Sequence, residues 1–112
     1  MKIKFESNKE ILVCRIVGRI NERNADKLLE NFEEKAQGLS VLIVLDQVSE
    51  IYGAGFVALY KISKLVKKIV FCCAASNERL QKTLRLTDFA ITYPFCKTES
   101  EALSMLPEIG TS

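Results

Sequence analysis

Apolar positions change their spacing several times along the chain, and each change marks an element. Residues 2–6 alternate as Lys-Ile-Lys-Phe-Glu, which predicts a short strand with one wet face. Asn8-Lys9 marks a turn, and Ile11 to Val17 supplies the hairpin partner, closed at Gly18. Asn24 stands where a helix N-cap is expected. Ala25, Leu28, Leu29 and Phe32 follow at helical spacing, with Gly38 as the stop, so a first helix is predicted near 24–37.

Val41 to Leu45 is a continuous apolar run closed by Asp46, the pattern of a strand covered on both faces. A loop from Gln47 to Tyr52 and a Gly-Ala-Gly turn then lead into a second helix, predicted over about 54–68. Residues 69–75 form another buried strand, and Ser76 or Asn77 caps a third helix through about Leu86. Ile91-Thr92-Tyr93 predicts a short edge strand stopped by Pro94, and Thr98 starts a fourth helix that ends before Pro107. The order β-β-α-β-α-β-α-β-α implies a single α/β domain over residues 1–112. Its sheet is mixed but mostly parallel, opened by the N-terminal hairpin.

Composition narrows the classes without changing that picture. Of 112 residues, 48% are apolar and 27% charged, which suits a folded globular domain rather than a disordered chain. The net charge of +2 is too small to argue for nucleic acid. No stretch reaches the roughly 20 apolar residues of a membrane span, and none has the form of a signal peptide, so no membrane partner is expected and the expected location is cytoplasmic. Cys14, Cys72, Cys73 and Cys96 lie in or beside apolar β-rich runs, where free cysteines act as small hydrophobes. With no histidine and no Cys-x-x-Cys, no metal site is expected, and only an all-cysteine site assembled in space would remain.

The same lack of histidine removes the usual base of a hydrolytic triad. The acidic residues Glu22, Asp26, Glu30, Glu33 and Glu34 fall in or beside the first helix as a solvated face. Asp46 stands apart at the end of a buried strand, where open α/β sheets place ligands; a turn-forming role and a ligand contact are both compatible with it. Gly53, Gly55 and Ala58 satisfy the dinucleotide pattern G-x-G-x-x-G/A, with Glu78 about twenty residues on. In that motif the strand runs straight into the glycines, whereas here six residues separate them from Asp46, which argues against it. With no nucleophile and base pair and no complete cofactor motif, an enzyme is not expected, and no cofactor is.

Gly53 and Gly55 flank the first turn of the second helix, where they either admit special backbone angles or leave the surface clear for close approach. At 100° per residue, Ala58, Leu59, Ile62, Leu65, Val66 and Ile69 gather on an arc that faces the sheet. Phe56, Val57 and Tyr60 fall on the opposite arc, among Lys61, Lys64, Lys67 and Lys68. Two readings stand: scattered surface hydrophobes, or apolar anchors with a basic rim for a protein partner.

A strand ending in Asp46, a loop with Val48 and Ile51, the turn at 53–55 and a helix behind it resemble the STAS domains, in particular the free-standing anti-sigma-factor antagonists of bacteria. Gly18-Arg19-Ile20-Asn21 is similar to the family's Gly-x-hydrophobic-Asp after its second strand, and Glu101-Ala102-Leu103 to its closing helix. The resemblance implies partner switching. The antagonist binds an anti-sigma factor that is also a GHKL-type serine kinase, and phosphorylation of a serine at the start of the second helix releases it. The family's Asp-Ser-Ser-Gly-Leu or Asp-Ser-Thr-Gly-Leu aligns with Tyr52-Gly53-Ala54-Gly55-Phe56, so the phosphoacceptor position falls on Ala54, which has no hydroxyl.

The resemblance therefore implies a non-enzymatic, protein-binding regulator that is not switched off at the usual position. Asn21, Tyr52, Gly53, Gly55, Phe56, Val57 and Tyr60 would form its contact surface. Ser49 and Tyr52 are nearby hydroxyls, but neither occupies the acceptor position. Asn21 replaces the usual Asp and removes a negative charge near the turn. The alternative is a module that senses a small nucleotide or anion through Asn21, Asp46 and the amides at 53–55, or a component of a larger stress-signalling assembly. A homodimer is also left open.

Overall fold

The computed structural model describes the backbone of residues 1–111 and the side chains of residues 1–106. The first hairpin joins β1 (Lys2–Asn8) to β2 (Ile11–Ile20). The chain continues through α1 (Ala25–Lys35), β3 (Ser40–Ile51), α2 (Gly53–Leu65), β4 (Lys68–Cys72), α3 (Glu78–Leu86), α4 (Phe89–Thr92), β5 (Phe95–Cys96) and α5 (Glu99–Thr111). The expected order holds, with one added helical turn, α4. All five strands form one sheet in the order β1-β2-β3-β4-β5, with β1 antiparallel to β2 and the other neighbours parallel.

The two faces of the sheet carry unequal cover. Cys14, Ile16, Ile43, Leu45, Phe71 and Cys73 point toward α1 to α4 and meet Leu28, Phe32, Leu59, Ile62, Leu80, Leu84 and Phe89 in the larger core cluster. Val13, Leu42, Val44, Val70, Cys72 and Cys96 point the other way and are covered by Ala102 and Leu106 of α5. The sheet is thus enclosed on both faces where β3 and β4 pass, which is why their sequences read as unbroken apolar runs. At the N-terminal end of α5, Arg15 donates to both carboxylate oxygens of Glu99, at 2.6 and 2.7 Å, and pins the helix to β2.

Three boundaries depart from expectation. The segment 47–52, expected to be a loop, is mostly strand, since β3 runs to Ile51. Two register shifts explain why it does not look like one: Arg15 pairs with Val44 but Val17 with Gln47, and Gly18 with Val48 but Arg19 with Glu50. Each shift inserts one extra residue in β3, so its core-facing residues after Leu45 are Val48 and Ile51, three apart instead of two. The partner strand β2 likewise runs past Gly18, whose φ of +103° marks the second irregularity, to Ile20.

The second departure is Ile91-Thr92-Tyr93, expected as an edge strand. Ile91 and Thr92 belong to α4, and the strand is Phe95–Cys96, after Pro94. Phe89 anchors that turn in an aromatic cluster with Phe71 and Tyr93, at centroid distances of 4.7 and 4.9 Å, so packing overrides the β preference of Ile and Thr. The third concerns helix ends. The first helix begins and ends inside the expected span, and α2 stops at Leu65, which leaves Lys67 and Lys68 outside it. The backbone of α5 continues beyond Pro107; a proline there removes one intrahelical donor but leaves the upstream acceptors and core contacts of the helix in place.

Candidate functional site

The C-terminal ends of β2 and β3 and the first turn of α2 meet at one place. The Tyr52 amide donates to the Ile20 carbonyl at 2.9 Å, and the Tyr52 carbonyl accepts from Gly55 and Phe56 at 2.8 and 3.1 Å. Tyr52 occupies the N-cap in extended conformation without a side-chain cap, so the amides of Gly53 and Ala54 stay free for solvent or a ligand. Gly55 explains its own identity: a Cβ there would stand 2.8 Å from Ile20 Cγ2 and 2.9 Å from the Ile20 carbonyl oxygen. Its job is close packing of helix on sheet. Gly53 has no atom within 4 Å of such a Cβ and keeps the outer surface flat.

This geometry revises the case against a dinucleotide site. The strand does reach almost to the glycines, with Tyr52 alone between Ile51 and Gly53, so the expected six-residue gap is absent. What argues against the motif now is Gly55, which faces Ile20 rather than a ligand, and Glu78, which lines a different cleft, with Ala75 and Lys82.

Around the turn lies a cleft of about 420 Å³ walled by Arg19, Asn21, Glu22, Arg23, Tyr52, Gly53 and Ala54. Asn21 has a structural role there: its Oδ1 accepts the Arg23 amide at 2.9 Å, while its own amide donates to Asn24 Oδ1 at 2.9 Å. Asn24 stands at the cap position of α1, but its side chain bonds backward, to Asn21 and to the Arg19 carbonyl, and not into the helix. Asp46 is not part of this cleft. Its Oδ1 accepts the Ala74 amide at 2.8 Å, tying β3 to the end of β4, and it lines other hollows. Asn21, Asp46 and the 53–55 amides therefore do not share one ligand site.

Tyr52 is held by partners that sequence reasoning missed. Its hydroxyl donates to one oxygen of Glu50, and Arg79 of α3 donates to the other. The Tyr52 hydrogen bond, with Arg79 and Arg19 beside it, holds the Glu50 carboxyl below the usual carboxylate range, and the same bond raises the Tyr52 phenol. Arg19 and Glu50 are register partners across β2 and β3. That pairing could be found only by reading 47–51 as strand.

Along α2, Val57 and Tyr60 are 53% and 51% exposed and Tyr52 is 46% exposed, so three large groups project from the N-cap to the middle of the helix. Lys64 places its ammonium 5.4 Å from the centre of the Tyr60 ring, and Lys61 is exposed beside it. Phe56 departs from the expected outer arc. It is half-buried, with its ring 5.9 Å from Phe89, because α4 fills the space beside it. All four cysteines are buried free thiols, and burial pushes Cys14 and Cys72 up to about 12. Among the described residues no group of His, Cys, Asp and Glu is arranged to hold a metal, and no described helix is long and apolar enough to cross a membrane.

The sequence matches the STAS domain family over residues 2–102. A search of curated protein sequences finds no significant match. Among solved structures, a proposed anti-sigma factor antagonist from Thermotoga maritima superimposes with a TM-score of 0.80 at 18% identity, covering 94% of each chain. An anti-sigma factor antagonist from Mycobacterium paratuberculosis gives 0.78 at 18% identity, over 95% of this chain and 93% of that one. The antagonist SpoIIAA in its unphosphorylated form gives 0.62 at 11% identity, over 95% and 98% of the two chains. At these identities the likeness establishes the fold.

Proposed function

We propose that this chain, which belongs to the STAS domain family, is a non-enzymatic anti-sigma-factor antagonist that binds an anti-sigma factor of the GHKL serine-kinase type. The observation that carries the reading is the end of α2. A flat Gly53-Ala54 step lies beside exposed Tyr52, Val57 and Tyr60, with Lys61 and Lys64 around them, and Gly55 seats the helix tightly on the sheet. Large aromatic anchors with a charged rim are what a protein interface needs at its centre and edge. The solved antagonists of the same fold support the reading.

Ala54 is exposed on this surface, in the first turn of α2 beside Tyr52 and Gly53. A phosphate there would bring about two negative charges into a contact that excludes water. Alanine cannot accept it, so the surface stays in its binding state. Tyr52, the nearest hydroxyl, is engaged with Glu50. The test uses the purified protein as bait in lysate of its own cell, comparing wild type with Ala54→Glu. Wild type should retain a GHKL-fold anti-sigma factor that the variant loses. Equal retention by both forms would place the contact elsewhere. A second reading, a small-anion sensor, is favoured by Arg19 and Arg23, which line the cleft with the free amides of Gly53 and Ala54 and outnumber its one carboxylate, Glu22.

A further inference from the structure

A second cleft, of about 630 Å³, lies on another side of α3 at the β5 edge of the sheet, away from the α2 turn. Three cations converge on it. Lys82 and Arg85 come from adjacent turns of α3, and Lys97 comes from the segment between β5 and α5. Among the described residues none of the three forms a salt bridge. Glu78 is the one carboxylate on the walls, so the cleft holds an excess of two positive charges although the chain as a whole carries only +2.

The three cations are exposed, and the wall that carries two of them is held in place. Gln81, which also lines the cleft, donates its amide to the Cys73 carbonyl at 2.8 Å, which fixes this face of α3 against the end of β4. Arg79, on a different face of α3, is spent on Glu50. Like charges gathered in a concave site raise the local potential and concentrate a counter-ion there. A guanidinium fork matches two oxygens of a phosphate, and two flanking ammonium groups act as point charges on the remaining oxygens. The volume is that of a small-molecule site.

We propose that this cleft binds a small, multiply charged phosphate ester, with Arg85 gripping the phosphate and Lys82 and Lys97 neutralising it. The site is independent of the antagonist surface. The probe is inorganic pyrophosphate at low ionic strength, followed by thermal unfolding and titration calorimetry, with citrate and a short glutamate peptide of matched charge as comparison ligands. Pyrophosphate well above its Kd should raise the wild-type Tm by about 3 °C or more. Lys82→Glu/Arg85→Glu and, separately, Lys97→Glu should lose at least about tenfold in affinity, since each reverses charge at the site, and Lys27→Glu, the same reversal on the exposed face of α1, should bind as wild type does. Three outcomes would overturn the proposal: no shift in wild type, an equal shift in the charge-reversed proteins, or binding of citrate or the glutamate peptide as tight as that of pyrophosphate. The last would mark the cleft as a contact for any anion or for an acidic protein segment.

Discussion

Replacing Gly55 by alanine adds one methyl group at the tightest contact between α2 and the sheet. That carbon would sit 2.8 Å from Ile20 Cγ2, 2.9 Å from the Ile20 carbonyl oxygen and 3.0 Å from Ile51 Cγ2. The two side-chain methyls can give way by small rotations. The carbonyl cannot, because it is main chain and already accepts the Tyr52 amide at 2.9 Å, the bond that fixes where α2 begins. Overpacking of this kind costs about 1–3 kcal/mol. Alanine returns at most about 1 kcal/mol through helix propensity, and less in a first turn.

The net expectation is a loss of about 1–2 kcal/mol and a fall in Tm of roughly 4–10 °C for a domain of this size. Gly53→Ala is the internal control. It introduces the same atom two residues earlier, where nothing lies within 4 Å, and should be neutral or stabilising by up to about 1 kcal/mol. Urea and thermal unfolding of the three proteins, with equal m values, make the comparison. Gly55→Ala as stable as wild type, or Gly53→Ala falling as far as Gly55→Ala, would refute the packing argument.

Substitutions at two further positions probe the supports of the sheet on its two faces. Asn77 donates to the Val48 carbonyl at 2.8 Å and reaches that of Asp46 at 3.2 Å, while its Oδ1 accepts the Leu80 amide at 3.3 Å and caps α3. Asn77→Ala should cost about 1–3 kcal/mol in urea unfolding, and Asn77→Asp should recover only the cap, because a carboxylate cannot donate to the bulged strand. Arg15 holds the Glu99 carboxyl below the usual range through its hydrogen bonds. A depressed carboxylate contributes stability above its unfolded pKa and loses it as pH falls through the lower folded value. Glu99→Gln should thus be less stable than wild type by about 0.5–1.5 kcal/mol at neutral pH, the pair being one-third exposed. The gap should hold above the ordinary glutamate pKa of about 4.3 and narrow as pH falls below it; a gap that widens on acidification would contradict the assignment.

The sequence was legible wherever one face of an element stayed in phase. The buried runs 41–45 and 69–73, the arc of Ala58, Leu59 and Ile62, and the cap at Asn77 appear where the pattern puts them. Reading failed where the phase broke. Two bulges move Val48 and Ile51 to a spacing of three, so half of β3 looks like loop, and with it went the Arg19, Glu50 and Arg79 network that holds Tyr52. Phe56 was misplaced for another reason: its helical position is outward, and only the aromatic cluster around Phe89, assembled from distant residues, gives it cover. The role of Gly55 depends on one carbonyl of another strand. No local pattern carries that information.

The strand order has a meaning in time as well as in space. Because each strand lies beside its predecessor in the chain, every strand emerging during synthesis finds its partner already in place, and none has to be inserted between two others. The exception is the last helix. Arg15 must wait for Glu99, 84 residues later, and until then Val13, Leu42, Val44 and Val70 form an uncovered apolar face. A nascent or C-terminally clipped chain would therefore carry a nearly finished sheet with one sticky side, and chaperone capture or aggregation would begin there, on the face opposite to α2.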